Sequence, residues 1–143
     1  MILIDANLLI YAVDDRAPAH DRALSWLSAQ LSGDQPIGIP WESFAAFLRV
    51  ATNPRLASTP LSGPDAWRFV IEWLAAEPVW IPMPTDRHAE VLGGLVERYG
   101  LTGNLIPDAR LAAIAIEHGL EVCSADTDFA RFTEVRWRNP LAG

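Results

Sequence analysis

Residues 107–129 read Pro-Asp-Ala-Arg-Leu-Ala-Ala-Ile-Ala-Ile-Glu-His-Gly-Leu-Glu-Val-Cys-Ser-Ala-Asp-Thr-Asp-Phe. Apolar residues dominate from Ala109 to Ile116, Pro107 sits where a helix tolerates a missing N–H, and Gly119 supplies a stop. A helix over 107–118 therefore runs into a short apolar strand over 121–124, which breaks into a turn carrying Asp126 and Asp128. A helix returning to a buried strand that ends in acids is the pattern of an α/β sheet. In such sheets, ligands bind beyond the carboxyl ends of the parallel strands.

The same alternation extends outward. Strands are expected at 2–5, 37–39, 79–82 and near 135–137. Helices are expected over 8–12, 22–31, from Pro40 to about Thr52, from Pro64 with Trp67, Val70, Ile71 and Leu74 on one face, and over 86–99 with a stop at Gly100. The Pro-, Ser- and Gly-rich stretch 53–63 is the clearest loop. No repeat or linker divides the chain. The expectation is one domain over residues 1–143, a three-layer α/β/α arrangement around a mostly parallel sheet.

Composition narrows the chemistry. All eleven basic residues are Arg, against eighteen acids and a net charge of −7. Without Lys there is no standard P-loop, no Schiff base, and none of the phosphotransfer sites that set a Lys beside their aspartates. The acidic balance argues against a general nucleic-acid-coating surface, because nonspecific affinity comes from cations on phosphates. No apolar run approaches the ~20 residues of a membrane span, and no signal-peptide pattern is present, so a cytoplasmic protein without membrane association is expected. Cys123, the single cysteine, falls within the 121–124 strand and reads as a small buried hydrophobe.

Four acids are expected to converge: Asp5 after Ile-Leu-Ile, Glu42 after Ile-Gly-Ile-Pro-Trp, Asp108 at a helix start, and Asp126 after Val-Cys-Ser-Ala. Each alone has an ordinary explanation as a turn residue, cap or dipole complement. As a set they repel one another unless a hard cation intervenes. All-oxygen ligands predict Mg²⁺ or Mn²⁺, and hence metal-assisted phosphodiester chemistry. The three histidines, at 20, 88 and 118, lack the spacing of a zinc site and read as exposed or helix-end residues.

The segments Ile-Asp5-Ala-Asn7, Trp-Glu42-Ser, Ile-Pro-Asp108-Ala-Arg-Leu-Ala-Ala-Ile-Ala-Ile-Glu-His-Gly and Cys-Ser-Ala-Asp126-Thr-Asp128-Phe, in this order, resemble the PIN domain, and most closely the VapC toxins of bacterial toxin–antitoxin pairs. The resemblance covers essentially the whole chain. It implies an Mg²⁺- or Mn²⁺-dependent endoribonuclease acting on structured RNA such as tRNA or rRNA, restrained by a VapB-like antitoxin and commonly dimeric. Carried across, Asp5, Glu42, Asp108 and Asp126 match the acidic quartet, Asp128 an additional metal-side acid, and Asn7 and Ser124 the supporting polar positions. Asp5, Asp108, Asp126 and Asp128 are the implied metal ligands, while Glu42 shares a ligand or orients the attacking water. The resemblance assigns no single role to Arg110, which either faces a phosphate or pairs with an acid or with the antitoxin.

Trp26, Trp67, Trp73 and Trp80 lie in amphipathic patterns and are expected in the core. Trp41 either lines a substrate groove or packs. Phe44, Phe47, Trp67 and Val70 either offer a face to an antitoxin helix or pack two helices together. Competing readings are an RNA-processing nuclease without a toxic role, a phosphohydrolase, disfavoured by the missing Lys, and a catalytically dead binding scaffold, disfavoured by the intact acids.

Overall fold

The computed structural model describes residues 1–143. In chain order the elements are β1 (Ile2–Ile4), α1 (Ala6–Val13), α2 (His20–Leu31), β2 (Ile37–Gly38), α3 (Trp41–Ala51), α4 (Gly63–Ala75), β3 (Val79–Trp80), α5 (His88–Tyr99), α6 (Leu105–His118), β4 (Glu121–Cys123), a 3₁₀ turn (Thr127–Arg131) and β5 (Trp137–Arg138). The strands form one sheet in the order β3-β2-β1-β4-β5, parallel throughout. β1 is central, pairing Leu3 with Gly38 of β2 and with Val122 of β4.

Strand alternation sends successive side chains to opposite faces, and each face receives its own core. Ile4 and Cys123 point into a cluster with Leu8, Leu9, Leu27, Phe44, Phe47, Val70 and Trp73, supplied by α1 to α4. Leu3 and Val122 point into the other cluster, with Leu95, Leu111, Ile114, Phe129 and Phe132, from α5, α6 and the 3₁₀ turn. Helices therefore cover both faces, and the three-layer α/β/α expectation holds. In α6, Ala109, Ala112, Ala113 and Ala115 are fully buried, so small side chains bring this helix down onto the sheet. The chain order steps from β1 outward to β2 and β3, then crosses to β4, so the strand order reverses beside β1. That switch point opens the crevice described below.

Boundaries differ from expectation in readable ways. α6 begins at Leu105, placing Pro107 within the first turn, where its missing N–H has no partner to lose. The face of α4 is rotated by one residue: Ala66, Val70 and Trp73 are buried, while Trp67 is 42% exposed and Ile71 is exposed beside it. Trp67 is thus not a core residue. Phe44, Phe47 and Val70 are fully buried between α3 and α4, so they pack these helices together and are closed to a partner. No helix is long and apolar enough to cross a membrane.

Candidate active site

The turn leaving each inner strand supplies the site. Asp5 follows β1 and caps α1, its Oδ1 accepting from the Ala6 N–H at 2.7 Å. Its Oδ2 accepts from Ser124 Oγ at 2.7 Å and from Asn7 Nδ2 at 3.3 Å. Ser124 lies just past β4, is completely buried, and also accepts from Asn7 Nδ2 and from the Asp126 N–H, both at 3.0 Å. Asn7 Oδ1 closes the network by accepting from the Ala125 N–H at 3.2 Å. Asn7 and Ser124 therefore lock the ends of β1 and β4 together and fix the Asp5 carboxylate.

Asp126 caps the 3₁₀ turn through Oδ1, which accepts from the Asp128 N–H at 2.8 Å. The turn aims Asp126 and Asp128 at Asp108, which stands in the first turn of α6. Carboxylate oxygens of Asp108, Asp126 and Asp128 lie within 4.8 Å of one another. Asp108 makes no side-chain hydrogen bond, and its pKa is pushed up to about 7 by desolvation and by the charges of Asp126, Asp5 and Asp128, with Arg131 opposing. Burial also raises Asp5, opposed by the Ser124 and Ala6 hydrogen bonds and reinforced by Asp126. Every donor in the cluster is a carboxylate oxygen, with no Cys or His among them, so the residues present fit a hard divalent cation. Such an ion would offset the charges of Asp126, Asp5 and Asp128 that add to desolvation in raising Asp108.

Glu42 is not one of that trio. It stands in the first turn of α3, and its Oε2 accepts from Arg110 Nη2 at 2.6 Å. The neighbouring Ser43 hydroxyl donates to the Ile4 carbonyl at 2.7 Å, tying the start of α3 to the end of β1. Arg131 pairs with Asp128 at 3.2 Å, so one cation borders the trio and another holds Glu42. Sequence reading missed Arg131 and Ser43. The three-residue step from Asp128 to Arg131 was the available signal for the former, whereas nothing in the sequence announces a hydroxyl bonding a strand end. The histidines stand away from the acids. His88 Nδ1 is 2.7 Å from the buried Glu117 Oε2, so His88 is a hydrogen-bond partner of Glu117 rather than an exposed cap. Cys123 is buried and its thiol is raised to about 11 by desolvation, which leaves it inert as a nucleophile.

Comparison with known proteins gives a consistent neighbourhood. The PIN domain model matches residues 2–135. Ribonuclease VapC37 of Mycobacterium tuberculosis is 42% identical over 142 residues, spanning 99% of both chains. Among solved structures, VapBC2 from Rickettsia felis, bound to a DNA fragment from its promoter, superposes with a TM-score of 0.68 at 19% identity, covering 97% of this chain and 98% of that one. Mycobacterium tuberculosis VapC20, a toxin that cleaves the sarcin–ricin loop, also gives 0.68, at 18% identity and covering 95% and 99%.

Proposed function

The chain belongs to the PIN domain family, among the VapC ribonucleases of toxin–antitoxin systems, and from that premise we propose that residues 1–143 act as one metal-dependent endoribonuclease domain. The observation that carries the reading is the meeting of Asp108, Asp126 and Asp128 within 4.8 Å, with Asp108 pushed up to about 7. Asp5, Asp108, Asp126 and Asp128 would hold Mg²⁺ or Mn²⁺. The ion supplies a Lewis acid for a phosphate oxygen and lowers the pKa of a bound water.

The chain's own residues do the rest. Ser124 and Asn7 hold Asp5 in one rotamer, so the carboxylate is in position before substrate arrives. Asp126 keeps Oδ2 free because only Oδ1 is used in capping the turn. Glu42, gripped at Oε2 by Arg110, presents Oε1 to accept a hydrogen bond from the attacking water. Attack by water on phosphorus, with departure of the 3′-oxygen, leaves a 5′-phosphate and a 3′-hydroxyl. With no Lys in the chain and no His at the acids, a metal-free route through the 2′-hydroxyl lacks its acid and base.

The substrate class is structured RNA, a tRNA or rRNA, cleaved in the cytoplasm. VapC20, a fold neighbour, cleaves the sarcin–ricin loop, and a site set between strand ends suits an exposed loop. A VapB-like antitoxin restrains the enzyme, in keeping with fold neighbours crystallised as VapBC complexes, and the enzyme works as a homodimer. The test is incubation of total bacterial RNA with the purified chain in Mg²⁺, Mn²⁺ or EDTA, alongside Asp5→Asn. Discrete fragments bearing 5′-phosphates, absent in EDTA and in the variant, are expected. Intact RNA under every metal condition, with the protein folded, would overturn the reading.

A further inference from the structure

Beside the acids lies a feature that metal chemistry does not use. Trp41, the first residue of α3, is 41% exposed although its ring lies 5.4 Å from that of Phe44. Met83, beyond the end of β3, is 55% exposed. These two, with Glu42, Ala45, Pro84 and Arg110, line an open hollow of about 370 Å³. Exposing an indole and a thioether side by side forgoes burial that each would gain elsewhere.

The hollow is held in place. His118 Nε2 donates to the Met83 carbonyl at 2.7 Å, and Glu117 Oε1 accepts from Thr85 Oγ1 at 2.6 Å and from the Thr85 N–H at 2.8 Å. The segment after β3 is thereby bound to α6, the helix that also carries Asp108 and Arg110. Along the carboxyl edge of the sheet, the order β3-β2-β1-β4 sets Met83 and Pro84 first, Trp41 and Glu42 next, then Asp5, then Asp126. One strand spacing, ~5 Å, separates the start of α3 from the strand that carries Asp5, so the hollow adjoins the acids. Arg110 engages only Glu42, through Nη2, and its side chain is partly exposed, so its remaining guanidinium donors are uncommitted.

We infer that Trp41, Met83, Pro84 and Arg110 form a nucleotide subsite beside the scissile bond, in which Trp41 stacks on an unpaired base and Arg110 takes a phosphate of the same strand. The inference rests on the ribonuclease reading. An exposed aromatic plane with a cation at its margin is how proteins hold unstacked RNA bases. A docked apolar helix would instead need a longer groove without two charged groups in its floor. On a chain with a net charge of −7, an exposed aromatic beside an Arg next to the acids locates affinity where the surface as a whole cannot supply it.

The test uses a fluorescein-labelled RNA hairpin with an unpaired loop, bound in Mg²⁺ by the cleavage-deficient Asp5→Asn protein and followed by anisotropy. Adding Trp41→Ala is expected to weaken binding about tenfold, with Trp41→Phe restoring most of it. Adding Arg110→Ala is expected to weaken binding and to lower the slope of affinity against salt by about one. Unchanged affinity for Trp41→Ala, while the Asp5→Asn parent binds, overturns the subsite and leaves the ribonuclease reading standing. No binding by a folded parent protein counts against both. Altered sedimentation of Trp41→Ala with unchanged RNA affinity makes the hollow an interface between copies, and also overturns the proposal. Met83→Ser, at a still more exposed position, gives an independent variant should Trp41→Ala not fold.

Discussion

Asp108 sits without a hydrogen-bond partner amid three other carboxylates, and its raised pKa is a statement about stability. The folded value of about 7 exceeds the ordinary 3.8 of an unfolded chain, so between those limits the folded state holds its proton more tightly. Stability from this group is therefore full at low pH and is lost as pH rises through the window to about 7. Other acids titrate too, among them Glu134, lowered by Tyr99 and Arg98 against its slight burial. Comparison with Asp108→Asn cancels their effect. In EDTA, the melting temperature of the unaltered chain is expected to fall relative to Asp108→Asn by a few degrees between pH 5 and pH 8. Parallel melting curves would show that the neighbouring charges do not load onto Asp108. In Mg²⁺ the same variant is expected to lose about a hundredfold or more in RNA cleavage. A wild-type rate would remove Asp108 from the site.

Ser124 shows what one residue does for two elements. Its hydroxyl donates to Asp5 and accepts from Asn7 and the Asp126 N–H, so three groups lose a partner in Ser124→Ala. Complete burial excludes water as a substitute, and a cost of about 1–3 kcal/mol is expected, read in thermal or urea unfolding. Cleavage should fall as well, because Asp5 is freed to other rotamers. A variant as stable as the parent would mean that the β1 and β4 ends are held by their ladder alone. Much of this scale was legible in the sequence: each strand was placed within a few residues, and Asp5, Asp108, Asp126 and Asp128 emerge at strand and helix ends as expected. The rotated face of α4 was not, because hydrophobicity highlights Trp67 and Ile71 while the buried position is Ala66, whose small side chain carries little signal. The 3₁₀ turn spans five residues, too short for any period to register. The Glu42–Arg110 pair joins positions 68 apart, and only the fold brings them together.

At the scale of the molecule, a chain with eighteen acids and eleven arginines concentrates its repulsion at one point on the sheet edge. The site is thus preformed by backbone and hydrogen bonds yet carries mutually repelling charges, and under the proposed function metal binding would be coupled to folding. A ligand that binds only the native state stabilises it by mass action, by ~2.7 kcal/mol at one hundred times Kd. For a chain of this length that amounts to a rise of several degrees in melting temperature. Titrating Mg²⁺ or Mn²⁺ at pH 7.5 is expected to give such a saturating rise, with Ca²⁺ showing whether oxygen ligation alone suffices. In Asp126→Asn the rise should shrink sharply, since one of three clustered oxygens loses its charge, while the metal-free protein becomes more stable from reduced repulsion on Asp108. An equal rise in the variant would place the bound ion elsewhere, and the acids would then be a strained surface feature rather than a metal centre. The opposite signs expected for the metal-free and metal-loaded forms make the pair of measurements decisive, because a residue that merely supported the fold would move both in the same direction.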